Sequence, residues 1–87
     1  MRIEYHKNFI KNFKKRIGND PKIKRQYKKR LQLFIDNSQH VLLKDHTLSG
    51  DRLLLRAFSI TGDIRVVYIE LAQRIVFLDI GTHNQVY

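Results

Sequence analysis

Apolar positions along the chain change period, and each change marks an element. Residues 2–6 (RIEYH) alternate, with Ile3 and Tyr5 on one side, which predicts a short first strand. Phe9, Ile10, Phe13 and Ile17 then recur at helical spacing, while Lys7, Lys11, Lys14 and Lys15 fall mostly elsewhere on the wheel. That pattern predicts an amphipathic helix of about three turns ending near Gly18. Asn19-Asp20-Pro21 predicts a turn and a second helix start, because Asp20 can accept from orphan backbone N–H groups and Pro21 suits the first helical position. Ile23, Tyr27, Leu31, Phe34 and Ile35 supply the stripe of the second helix, to about Asn37. The short link between the two predicts a helical hairpin.

Residues 38–52 keep no period and contain Gly50, so a loop with room for one short turn is expected there. Three strand candidates follow, at 53–60, 63–71 and 74–80, rich in Leu, Ile, Val, Phe and Tyr. Thr61-Gly62 and Ala72-Gln73 are short enough for hairpin turns, making consecutive strands antiparallel. The predicted order is β-α-α-β-β-β: an α+β fold with a helical hairpin on one face of a twisted antiparallel sheet. Within 63–71, neither Asp63, Arg65, Val67, Ile69 nor Ile64, Val66, Tyr68, Glu70 is cleanly polar. The far sheet face is therefore either partly covered or part of a concave surface. No repeat, linker or low-complexity segment interrupts residues 1–87, and a single domain is expected.

Charge changes this picture. The chain carries 17 Lys+Arg against 8 Asp+Glu, a net +9, and no cysteine. Residues 1–37 hold twelve Lys/Arg against Glu4, Asp20 and Asp36, which accounts for the whole +9; residues 38–87 hold five of each sign and sum to zero. The helical part is thus a surface for a polyanion, and nucleic acid phosphate is the favoured reading over a merely solubilising face. Lys11, Lys14, Lys15, Lys22, Lys24, Arg25, Lys28, Lys29 and Arg30 are the expected RNA contacts, joined by Lys44 and Ser59. Without cysteine there is no disulfide framework or Cys-based metal site. No apolar run approaches the ~20 residues of a membrane span, and MRIEYHKNF has no apolar core of a secretory signal. No membrane partner is expected.

The neutral half gathers Lys44, His46, Arg56, Ser59, Asp63, Arg65, His83 and Tyr87 near predicted strand ends. No HExxH or HxxxH spacing, glycine-rich phosphate loop or Ser-His-acid arrangement is present, so no metal or cofactor is expected. Metal-free RNA cleavage needs another set: a base for the ribose 2′-hydroxyl, an acid for the departing 5′-oxygen, and cations for the phosphoryl oxygens. Histidine suits the first two roles and arginine the third, and tyrosine offers a stacking ring. Arg56 and Arg65 either meet phosphate in this way or pair with Asp63, Asp79 or Glu70 across strands. His6 and His40 are given no role.

The stretches Leu43-Lys44-Asp45-His46, Leu48-x-Gly50, Arg56, Gly62-Asp63-Ile64-Arg65-Val66-Val67-Tyr68 and Asp79-Ile80-Gly81-Thr82-His83-x-x-x-Tyr87 together resemble the RelE/ParE toxin superfamily, and its YafQ-like branch in particular. The resemblance spans the chain; Leu43–His46 and the C-terminal Gly81-Thr82-His83-x-x-x-aromatic are its more specific parts. It implies a type II toxin acting in the cytoplasm, a monomer until it joins a cognate antitoxin protein in a hetero-oligomer. It implies cleavage of mRNA in the ribosomal A site, with contacts to ribosomal RNA. By position, His46 and His83 match the family's catalytic histidines and Asp63 its aspartate. Tyr87 matches its C-terminal aromatic, and Arg56 and Arg65 match basic residues near the scissile phosphate. Ser59 stands where YafQ-like enzymes can carry another histidine, and Ile64 where they often have tryptophan. Two rivals belong to other classes: a ParE-like toxin that binds DNA gyrase, which needs no histidines, and a catalytically weak RNA-binding relative.

Overall fold

The computed structural model describes residues 2–48 and 54–87. Strand β1 (Arg2–Tyr5) leads into helices α1 (Lys7–Arg16) and α2 (Pro21–Asp36). A short 3-10 turn, η1 (Val41–Leu43), precedes β2 (His46–Thr47), β3 (Leu55–Ser59), β4 (Ile64–Leu71), β5 (Arg74–Thr82) and a last single-turn helix, α3 (His83–Val86). The expected Gly50 loop and the first residue of the predicted strand, Leu53, lie outside the described residues.

The helix ends follow local chemistry. His6 caps α1, its Nδ1 accepting from the Asn8 amide at 3.1 Å. Lys14, Lys15 and Arg16 close the helix where its dipole is negative. Asp20 caps α2 by accepting from the amides of Lys22 (3.0 Å) and Ile23 (3.2 Å), with Pro21 at the first helical position. Phe9, Ile17, Tyr27 and Phe34 turn inward. Ile10 and Ile35, placed in the predicted stripes, instead remain 46% and 56% exposed. Each directly follows a ring that does go in, and one residue turns the helix about 100° away from it.

The sheet has the order β1-β5-β4-β3-β2. Strands β2 to β5 are antiparallel, as their short turns require. The prediction of a wholly antiparallel sheet is corrected at β1, which lies parallel to β5 with Arg2 opposite Arg74 and Tyr5 opposite Phe77. Two helices and three further strands separate the pair, so no hairpin dictates their sense. Glu4 bridges the two like charges that this register brings together, at 2.9 Å from Arg2 and 3.0 Å from Arg74. The β4–β5 register shifts between Val67↔Asp79 and Tyr68↔Phe77, leaving Leu78 as the extra residue of a bulge.

One face of the sheet packs on the helices through aromatic rings. Phe34 stacks on Phe58 at 4.5 Å and meets Tyr68 and Phe77 edge-on at 5.1 and 5.9 Å. Phe9 joins Tyr5, Phe13, Tyr27 and Phe77. At the other end of the contact, Asp79 accepts from Asn12 (2.8 Å) and Arg16 (3.3 Å), and Arg16 also donates to the Ile80 carbonyl at 2.9 Å. The alternate residues of β3 and β4 face away from the helices. There Leu48, Ala57, Val67 and Val86 form a second, smaller cluster with Leu55 beside it. The far face is thus partly covered, by α3. Among the described residues, no helix is long and apolar enough to cross a membrane.

Because Phe34 touches three rings of the sheet, Phe34→Ala should cost about 3–5 kcal/mol, read by urea unfolding. Burial raises the phenols of Tyr27 and Tyr68 above the usual tyrosine range, and for Tyr68 the hydrogen bond to Asp45 adds to the rise. Stability should therefore be unaffected by these groups below about pH 10 and fall as pH climbs beyond it, where the unfolded chain releases protons that the folded one keeps. Urea midpoints measured across that range should show the fall, and Tyr68→Phe should flatten it.

Candidate active site

The site is built on the sheet face away from the helices. After η1 the backbone of Lys44 turns left-handed (φ 49), the one such non-glycine among the described residues. This turn swings the chain into β2, where His46 pairs with Ala57 and Thr47 with Arg56. His46 is exposed, and its Nδ1 lies 2.9 Å from the Lys44 carbonyl. A carbonyl only accepts, so Nδ1 donates here, and in the neutral ring Nε2 is the nitrogen left with the lone pair. His6 and His40 show the opposite arrangement: their Nδ1 atoms accept backbone amides at 3.1 Å, so both are helix caps.

The second histidine arrives with α3. At Gly81 the Gln85 and Arg16 side chains come in close: a Cβ there would stand 2.6 Å from Gln85 Oε1 and 2.7 Å from Arg16 Nη1 and would displace both ends. Gln85 Oε1 accepts from the Thr82 amide at 2.8 Å and so closes the start of the helix. Val86 buries into the small cluster on β3 and β4 and holds the turn down. His83 and Tyr87, four residues apart, then meet edge-on at 4.5 Å, and the Tyr87 ring reaches His46 at 6.5 Å. Tyr87 is the shared neighbour of both imidazoles.

Arg65 lies on the same face, paired across the sheet with Ser59 and with Gly81. Its Nη1 donates to Ser59 Oγ at 3.3 Å, while its Nε is buried and has no hydrogen-bond partner among the described residues. Ser59, expected to meet RNA, is 4% exposed; its hydroxyl donates to the Thr61 carbonyl and accepts from Arg65. Asp63 is exposed in the turn just before Ile64, which pairs with Thr82, and its amide donates to Thr61 Oγ1. No metal-holding group of three or more His, Cys, Asp or Glu occurs among the described residues.

Arg56 is held elsewhere. Its partner is none of the three acids that the sequence suggests but Asp45, whose side chain is 1% exposed. Arg56 Nε donates to Asp45 Oδ1 at 2.8 Å and reaches the Tyr68 hydroxyl at 3.2 Å; Tyr68 donates to the other Asp45 oxygen. Burial pulls the Arg56 guanidinium down, but the bonds to Asp45 and Tyr68 outweigh it and raise the group above its ordinary value. Sequence reasoning misses Asp45 and Tyr68 as supports of the site, since nothing in their spacing announces a contact across 23 positions.

Of the predicted cations, Lys11, Lys14, Lys15, Lys22, Lys24, Arg25, Lys28, Lys29 and Lys44 are exposed. Arg30 donates to the Leu42 carbonyl and ties α2 to η1. The helices that carry most of these charges cover the face opposite the histidine pair.

The fold thus sets a basic helical hairpin on one face of the sheet and two histidines around the Tyr87 ring on the other. Over residues 1–87 the sequence matches the family described as "Bacterial toxin of type II toxin-antitoxin system, YafQ", and the chain belongs to that family. The fold agrees with that of a point mutant of YafQ from E. coli, with a TM-score of 0.80 at 23% identity, over 100% of this chain and 99% of that one. A metal-bound toxin from Helicobacter pylori matches with a TM-score of 0.78 at 26% identity over the same shares. A YoeB/ParE toxin from Agrobacterium tumefaciens gives 0.77 at 18% identity, over 95% and 99%. Comparison with curated protein sequences gave no significant match.

Gly81→Ala should displace the ends of the Gln85 and Arg16 side chains and cost about 1 kcal/mol, through the hydrogen bonds they make to the Thr82 amide and the Ile80 carbonyl. Urea unfolding measures the cost, and weaker ring contacts between His83 and Tyr87 by NMR should accompany it.

Proposed function

We propose that this toxin is a metal-independent endoribonuclease that cleaves mRNA in the ribosomal A site. One observation carries the reading: two imidazoles share the Tyr87 ring, on the face that also holds Arg65 with an unspent buried N–H. One histidine takes the proton of the ribose 2′-hydroxyl. The 2′-oxygen attacks phosphorus, the P–O5′ bond breaks, and the other histidine protonates the departing 5′-oxygen. The products are a 2′,3′-cyclic phosphate and a 5′-hydroxyl. Arg65 supplies donors to the phosphoryl oxygens as charge builds there. Ser59 holds Arg65 rather than RNA, Tyr87 stacks on a base, and Asp63 assists at the turn edge. The exposed lysines and arginines of α1 and α2, with Lys44, track ribosomal RNA phosphates.

Residues 1–87 act as one domain in the cytoplasm, where the ribosomes are. E. coli YafQ has been crystallised in complex with DinJ. By analogy, this chain is a monomer that a cognate antitoxin captures in a hetero-oligomer.

Induction of the protein, followed by mapping of mRNA 5′ ends against the reading frame, tests the reading. Frame-locked cuts with 5′-hydroxyl ends, made equally well in EDTA, are expected. His83→Ala or His46→Ala should lower cleavage by about 100-fold or more, in keeping with the loss of a proton-transfer group. Cuts that cease on chelation would reject the metal-free mechanism. Growth arrest that persists in His83→Ala without cleavage would favour gyrase binding. Separately, reversing Lys11, Lys14 and Lys15 to Glu should weaken ribosome binding and reduce its salt slope by roughly one unit for each phosphate no longer neutralised; an unchanged slope would remove α1 from the interface.

A further inference from the structure

Asp45 and His46 are neighbours in sequence but serve opposite sides of the protein. His46 lies exposed on the face of Ala57 and α3, whereas the Asp45 carboxylate is sealed against Arg56 and Tyr68 on the side covered by the helices. Tyr68 itself is 1% exposed and packs against Phe34, Phe58 and Phe77. The carboxylate is thus fastened to the buried aromatic core.

Between this anchor and the first turn of η1 lies Lys44, a non-glycine residue in left-handed backbone. Such a conformation is unfavourable for a residue that carries a Cβ and persists where the surroundings impose it. Here they do so from both sides: Asp45 is clamped, and the Lys44 amide is tied back to the Val41 carbonyl at 3.3 Å. The Lys44 carbonyl is the acceptor that faces His46 Nδ1, at 2.9 Å.

We propose that Asp45, Arg56 and Tyr68 form a positioning device for His46: the clamped carboxylate sets the left-handed turn at Lys44, whose carbonyl holds Nδ1–H and leaves Nε2 as the nitrogen that exchanges a proton with RNA. This rests on the endoribonuclease reading above. It makes Arg56 a positioning residue and not a phosphate contact. The planar fork of Arg56 reaches Asp45 through both Nε and Nη2 and Tyr68 through Nε, a geometry that a lysine cannot reproduce.

The test uses the 15N-labelled full chain and its imidazole nitrogen spectrum. In the wild type, His46 should appear as the Nδ1–H tautomer and His6 and His40 as Nε2–H, the two caps serving as internal references. Tyr68→Phe keeps the ring and removes one bond to the carboxylate; Asp45→Asn weakens all of them. In both, His46 should relax toward a mixture of tautomers while His6 and His40 stay unchanged. Single-turnover cleavage on programmed ribosomes should fall about 10- to 100-fold, as expected for a misplaced reacting group, with RNA affinity and its salt slope intact. Arg56→Lys should not restore the rate.

If Asp45→Asn does not fold, Tyr68→Phe decides. The proposal is overturned if His46 keeps one tautomer and the rate stays at the wild-type level in the Tyr68→Phe protein. It is equally overturned if Arg56→Lys cleaves normally, or if loss of Arg56 acts on RNA affinity and salt slope in place of rate. Absence of any cleavage by the wild type would sink the endoribonuclease reading alone, because the tautomer measurement needs no RNA.

Discussion

A carboxylate removed from water costs several kcal/mol unless its oxygens are matched by donors. Asp45 meets that demand with the guanidinium of Arg56 on one oxygen and the hydroxyl of Tyr68 on the other. The consequences run in two directions. Inward, Tyr68 ties the pair to the ring cluster of Phe34, Phe58 and Phe77, so helix α2, strands β3 to β5 and the Asp45 loop are held as one packed unit. Outward, the clamp fixes where the chain leaves the core and so where His46 stands. A charged cluster with such reach is a strong constraint, since removing any partner strands the others.

The sheet has two unlike faces. Its helix-covered face is filled by aromatic rings and spends its surface on packing. Its other face is capped by one turn of helix and a small aliphatic cluster, which leaves room for polar side chains. The charge is divided in the same way. All of the net +9 belongs to residues 1–37, while the half that carries both site histidines is neutral. The basic helices and the face that holds the histidine pair are therefore separate surfaces on one small body. They are joined where Arg16 of α1 grips Asp79 and the Ile80 carbonyl, just before Gly81 and α3.

Much of the fold can be read from local periodicity. The helical hairpin, the Asp20-Pro21 start of α2, the β4–β5 hairpin and the aromatic stripe depend on neighbours within about four residues, where spacing is a direct physical signal. The partial cover on the far sheet face is visible only as an ambiguity in the β4 alternation. The site is partly legible. His46, His83 and Tyr87 can be named as a set, but nothing in the spacing says that one ring stands beside both imidazoles. Ser59 and Arg56 can be named as well, yet the structure gives them partners that their spacing does not suggest: Arg65 and Asp45.

The sequence by itself determined the first strand, the two long helices, the three later strands, the uneven charge and the residue types available for proton transfer, because each follows from composition or from contacts within a turn or two; the short β2 and α3 left no such signal. Tertiary structure alone decided that β1 runs parallel to β5, that α3 folds back over the far face, and that Asp45 meets Tyr68 across 23 positions. These pairings join segments that the backbone leaves independent. Only the collapse of the aromatic core, and the need to match a buried carboxylate, brings them into register.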